Sequence, residues 1–164
     1  KSMGRSIKLL ASSKKVGESF SCMVAPFMLS QEHPLCGVND VFNGIFVHGN
    51  VLGDAMFYGS GAGKLPTASA VVADVVDMVK HQNTNIYIDW KSEKIELLDY
   101  KDNVNAFFVR TTSDQTTIAA AFGDVTYTQK VADGEIGFTT ETMTEAEFEE
   151  KSAKIEVVNR IRLG

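Results

Sequence analysis

The sequence predicts an α+β protein. A partial β-sheet with a return helix comes first, and a small antiparallel unit of βαββαβ, ferredoxin-like order follows. Three observations carry this. Ala68, Val71, Val72, Val75, Val76 and Val79 recur at helical spacing in a valine-rich stretch. Two apolar runs just before it, residues 43–48 and 54–58, flank a Gly-Asn-Val-Leu-Gly turn and read as a hairpin. After Asn105, strand-like and helix-like runs alternate in the order of the small unit.

Residues 7–16 read as a strand with a polar end. Residues 18–29 put Phe20, Cys22 and Val24 on one face. Pro26 marks that run as an edge or bulged strand, because proline cannot donate to a ladder. The stretch SQEHPLCGVND is rich in turn formers. Pro66 falls in the first turn of the valine helix, where a missing N–H costs little. Valine is a mediocre helix former, so this helix needs a packing partner.

Residues 83–104 read as a connector with short strands at 85–90 and 94–98, in which Trp90 and Tyr100 seal a small core. Beyond it, residues 105–112 predict a strand and 113–123 a short helix ending at Gly123. Residues 124–131 and 135–142 predict strands joined at Ala132-Asp133-Gly134, then a helix and a last strand. Thr144 and Glu147 form a capping box for the second helix. The run EAEFEEK reads as an exposed helix face with Phe148 turned inward.

The chain has 164 residues, 44% hydrophobic and 23% charged, ordinary values for a folded domain or two small ones. A net charge of -5 argues against nucleic acid or an anionic membrane as the main partner. No apolar run approaches the ~18 residues of a membrane span. Cys22 and Cys36 have no CxxC spacing, which favours buried thiols over a disulfide framework and a reducing, cytoplasmic setting. His33, His48 and His81 are scattered, so no metal site is expected. Asp74 and Asp77 share a helix side and read as solvated or dimer-facing. No GxSxG supports hydrolase chemistry.

The glycine run Gly59-Ser60-Gly61-Ala62-Gly63-Lys64 fits neither standard phosphate motif. A nucleotide-hydrolase loop needs glycine where Tyr58 stands and a hydroxyl residue where Leu65 stands. A dinucleotide fingerprint needs a third glycine where Lys64 stands. Two readings remain: main chain that lies close to a bulky anionic group at a helix start, or a tight strand-to-helix turn without a ligand.

GSGAGKLPTASAVVADVVD, together with IKLLA at 7–11, HPL at 33–35 and VFNGIFVHG followed by GDAMFYG, resembles the end of the catalytic region of homoserine dehydrogenases. The resemblance covers about residues 4–80. It implies an enzyme that interconverts aspartate semialdehyde and homoserine with NAD or NADP. It divides the chain into the C-terminal part of the catalytic and dimerisation domain (1–82), a connector (83–104) and an ACT-like regulatory domain (105–164). The chain starts without an initiator methionine, and the resemblance implies a nucleotide-binding domain and a catalytic lysine upstream of Lys1. No catalytic residue is therefore assigned here, and the chain alone is expected to be inactive. Gly63 is expected to contact the cofactor, with Gly61 and Ala62 shaping the turn. A homodimer or larger assembly is expected from apolar surface left bare.

In the ACT-like unit the junction Thr112-Ser113-Asp114-Gln115-Thr116 has the aspartate of an effector-binding turn but neither its proline nor its glycine. Asp114 and Gln115 are the candidate effector contacts, with threonine the natural ligand by resemblance. The other reading is a non-catalytic amino-acid-binding or oligomerisation module.

Overall fold

A computed structural model describes residues 3–128 and 131–164. The strands are β1 Arg5–Val16, β2 Ser19–Ser30, β3 Phe42–Gly49, β4 Gly53–Ser60, β5 Val104–Asn105, β6 Phe107–Thr111, β7 Thr126–Thr128, β8 Ile136–Thr139, β9 Met143–Thr144 and β10 Val157–Leu163. The helices are α1 Lys64–Lys80, α2 Gln115–Phe122 and α3 Glu145–Ser152. The chain forms two compact units, residues 1–31 with 94–164, and residues 32–93.

In the first unit one six-stranded sheet runs β1-β2-β10-β6-β8-β7. The part β10-β6-β8-β7 is antiparallel throughout, and with α2 and α3 it gives the expected βαββαβ motif. Its core is Phe107, Val109, Ile118, Ala121, Phe122, Phe138, Met143, Phe148 and Ile155. Alternation puts Phe107 and Val109 of β6 on the face that α2 and α3 cover. Aromatic contacts knit the layers: Phe107 and Phe148 ring centroids are 4.1 Å apart, and Phe122 and Phe138 are 5.3 Å apart edge-on. Burying each such side chain contributes about 1.5–3 kcal/mol.

Asp114 caps α2, and Gly123 ends it at φ 76, a conformation that favours glycine. Thr144 and Glu147 form the capping box of α3. The Ala132-Asp133-Gly134 turn forms, with the Glu135 amide bonded to the Ala132 carbonyl. The strand expected at 124–131 is present as Thr126–Thr128; Gln129 and Lys130 lie outside the described residues, as do Lys1 and Ser2.

Several expectations are corrected. β2 carries no bulge at Pro26: its antiparallel register with β1 runs unbroken from Arg5↔Ser30 to Val16↔Ser19. β10 joins β2 only at Phe27 and Met28, so Pro26 sits where its missing N–H leaves no gap in that short ladder. The strands expected at 85–90 and 94–98 do not form. Leu97 makes a single bridge to Phe20, and a strand without a ladder partner has nothing to satisfy its backbone. Trp90 is 85% exposed and seals no core. Cys22 is exposed and Cys36 half-buried, both free thiols.

The second unit is the expected hairpin, β3 paired with β4 from Phe42↔Ser60 to Gly49↔Gly53, followed by α1. A short helical turn, Pro34–Gly37, packs on the hairpin. A Cβ on Gly44 would stand 2.9 Å from both Leu35 and Val38, so only glycine fits at that approach. The helix expected from valine spacing spans Lys64–Lys80, yet none of its residues is buried.

Candidate functional site

The glycine loop leaves β4 at Ser60 and enters α1 at Lys64. Each glycine at 61 and 63 has a local cause. A Cβ on Gly61 would run into the side chain of Asn43 across the hairpin. Gly63 is the helix N-cap at φ 122, ψ 153, a conformation closed to residues with a side chain. Ala62 lies between these two constrained positions.

The helix start is bare. Gly63 offers no side-chain cap, and the first hydrogen bond of the helix runs from the Thr67 amide to the Gly63 carbonyl at 3.1 Å. The amides of Lys64 and Leu65 precede that bond, and Pro66 has none to offer. No acidic residue stands in the first turn. The positive dipole end and Lys64 therefore face no opposing carboxylate there, an arrangement that favours an anion. Beside the loop, Phe42 and Tyr58 stack with centroids 4.9 Å apart and half-exposed rings. The space a Cβ would take is held by Asn43 at Gly61 and by Pro66 at Gly63, so the turn itself accounts for both glycines, and the uncapped helix start is the feature open to an anion.

Asp114 and Gln115 are treated differently by the fold. Asp114 accepts the Thr117 amide at 2.8 Å and the Thr117 hydroxyl at 3.1 Å. The Thr117 amide holds its carboxyl below the usual range. Gln115 lines a cavity of ≈ 420 Å³ with Tyr127, Asp133 and Glu135, and Asp114 does not. Glu135 is itself paired with Arg110 at 2.7 Å, and that guanidinium keeps its carboxyl low.

One polar cluster went unread. Glu145 is fully buried at the start of α3. Its Oε1 accepts from Arg162 Nε at 2.5 Å and Asn105 Nδ2 at 3.2 Å. Its Oε2 accepts from Arg160 Nη1 at 3.3 Å and the Tyr100 hydroxyl at 3.4 Å. Tyr100 thus joins this cluster, and its hydroxyl is raised above its ordinary pKa chiefly by donating to Glu149 at 2.8 Å. Arg160 lies over the Phe148 ring, 4.8 Å from its centroid. The face read as exposed is therefore exposed only in part. The available signal was Arg160 and Arg162, two apart on a strand and so on one face, which calls for a carboxylate.

The histidines serve locally. His33 Nδ1 accepts the Leu35 amide at 3.1 Å, His48 pairs with Asp54 across the hairpin at 2.5 Å, and His81 contacts the Asp77 carbonyl at 2.9 Å. Among the described residues no three His, Cys, Asp or Glu side chains are placed to hold a metal, and no helix is long and apolar enough to cross a membrane.

Comparison with known proteins converges. The homoserine dehydrogenase family model matches residues 1–76. Homoserine dehydrogenase from Bacillus subtilis is 37% identical over 86 residues, covering 52% of this chain and 20% of that protein. The Synechocystis homoserine dehydrogenase is 47% identical over 81 residues, covering 47% of this chain and 19% of that protein. A solved homoserine dehydrogenase from Thiobacillus denitrificans has the same fold at 23% identity and TM-score 0.77, covering 99% of this chain and 43% of that one. The chain thus spans well under half the length of the relatives it matches. The glycine loop and most of α1 fall inside the matched stretch, and over that stretch the chain is similar to homoserine dehydrogenases.

Proposed function

We propose that the chain is the C-terminal portion of an NAD- or NADP-dependent homoserine dehydrogenase, which interconverts L-aspartate 4-semialdehyde and L-homoserine in the cytoplasm on the route to threonine, methionine and isoleucine. The observation that carries this is the glycine loop inside the matched stretch, with Gly63 at φ 122 opening a helix that has no side-chain cap. In the complete enzyme, the nucleotide-binding domain holds the cofactor, which supplies hydride transfer. The residues here that contact it are Gly61, Ala62 and Gly63. They let main chain approach the phosphates and present the amides of Lys64 and Leu65 to them. The acid–base chemistry belongs to residues outside the 164 described by this sequence.

The test is direct. Protein made with the codons that precede Lys1 in its gene is expected to reduce NAD or NADP in the presence of homoserine, and the 164-residue chain alone is not. In the active protein, Gly63→Val is expected to raise the Michaelis constant for the cofactor by about tenfold or more, since the strained φ and the added side chain both push the loop away. Activity of the longer protein with an unchanged cofactor constant in that variant would remove the loop from the site.

A second reading is favoured by one observation. The antiparallel β10-β6-β8-β7 order with α2 and α3 is the arrangement of small ACT-like regulatory or assembly units. On this reading Gln115, in its polar cavity, contacts an amino-acid effector such as threonine, while Asp114 holds the helix start. Calorimetry with millimolar threonine decides it: heat supports effector binding, and no heat favours assembly. The half-exposed valines of α1 support a homodimer or larger assembly, which light scattering reads.

A further inference from the structure

Glu145 is buried, charged and unused by the site above. Two backbone ties connect the β1–β2 hairpin to the βαββαβ motif, and Glu145 touches both. The first is the end of β10, where Arg162 pairs with Phe27 and Leu163 with Met28. Arg162 gives its guanidinium to Glu145 Oε1. The second is the segment before β6. The Phe20 amide bonds the Glu96 carbonyl and the Leu98 amide bonds the Phe20 carbonyl, both at 2.9 Å, and the Ser21 hydroxyl donates to the Asn103 side chain. That segment is held to Glu145 three times: through the Tyr100 hydroxyl, the Asn105 amide group, and the Glu145 amide bonded to the Asn103 carbonyl at 2.9 Å.

We propose that Glu145 is a coupling joint, a carboxylate that makes the β1–β2 hairpin and the βαββαβ motif open and close as one body. A carboxylate taken out of water must keep its partners, because a lone buried charge is heavily penalised. Arg162, Arg160, Tyr100 and Asn105 therefore cannot leave one at a time at low cost. A shift in the motif, whatever causes it, carries β10 and the preceding segment together, and with them β2. A close-packed apolar contact at this place would allow the two ties to loosen separately.

The test is native-state hydrogen exchange on the 164-residue chain, comparing Glu145→Gln with Thr144→Ala. The glutamine keeps the shape and loses the charge. The alanine weakens the same helix through its cap without touching the joint. The joint predicts that Glu145→Gln speeds exchange of the Phe20 and Leu98 amides, and of the Gly164 amide bonded to the Met28 carbonyl at 3.3 Å, by about tenfold or more relative to Val109 and Phe138. It also predicts that Thr144→Ala leaves those tie amides unchanged and speeds exchange within α3. Equal acceleration everywhere, or acceleration confined to α3 in both variants, would overturn it. Should Glu145→Gln not fold, Tyr100→Phe removes one of the partners and is read by the same contrast between tie and core amides.

Discussion

The helix α1 and the helix pair α2 and α3 stand at opposite extremes. α1 is 17 residues long and buries none of them; Val72 on its apolar face is 60% exposed. α2 and α3 are 8 residues each, yet Ile118, Phe122 and Phe148 are all buried. The region with the bare helix carries the family match, which ends at residue 76, while the region with the dense core lies beyond it. The lesson is that recognisable sequence and self-sufficient packing are separate properties. A segment can be recognised by its particular residues while burying almost none of them, as α1 does. A segment with its own core tolerates any sequence that preserves volume and pattern.

Substitutions sharpen this contrast. The largest effect is expected from Phe138→Ala, which empties a fully buried ring position beside Phe122 and opposite Val109 in the ladder. It should cost about 3–5 kcal/mol in a urea titration. A cost under about 1 kcal/mol would show that the motif's core is not its source of stability. Thr144→Ala, which removes the capping box of α3, should cost about 1 kcal/mol by the same titration.

Acid should affect the motif next. Glu147 is held low by the Thr144 amide, Asp114 by the Thr117 amide and Glu135 by the Arg110 guanidinium. A carboxyl lowered in the folded state contributes stability above its unfolded pKa, and that contribution is lost as pH falls through the folded value. The urea midpoint should therefore hold from neutral pH to about pH 5 and fall below about pH 4. The pair Asp114→Asn with Glu147→Gln should flatten that fall. The smallest effect belongs to Val72→Ala on α1. Alanine is the better helix former and no buried contact is lost, so stability should move by less than about 0.5 kcal/mol. A loss of several times that would mean α1 has a partner face of its own.

Much of the fold was legible because it is local. Helical spacing gave α1, the Thr144–Glu147 pair gave the start of α3, and the turn at Gly134 gave the β7–β8 connection. What escaped depends on partners distant in sequence. Residues 85–90 have strand composition but meet no ladder among the described residues, and β1 and β2 share a sheet with β10, more than a hundred residues away. Pattern alone has no term for either. The small β5–β9 ladder was too short to leave a periodic trace. The glycine loop was legible as a tight strand-to-helix turn, since Gly63 needs its positive φ and Gly61 its missing Cβ. The Glu145 joint was not, because its donors come from residues 100, 105, 160 and 162. Only the Arg160-x-Arg162 spacing hinted at it.

The loop ending at Gly63 is proposed to lie against the nicotinamide cofactor. Hydrogen exchange on the complete enzyme, with and without NAD or NADP, reads it at the amides of Lys64 and Leu65. Cofactor is expected to slow their exchange by about tenfold or more, as direct phosphate contacts would. Unchanged exchange there, with the nucleotide-binding domain itself protected, would contradict it.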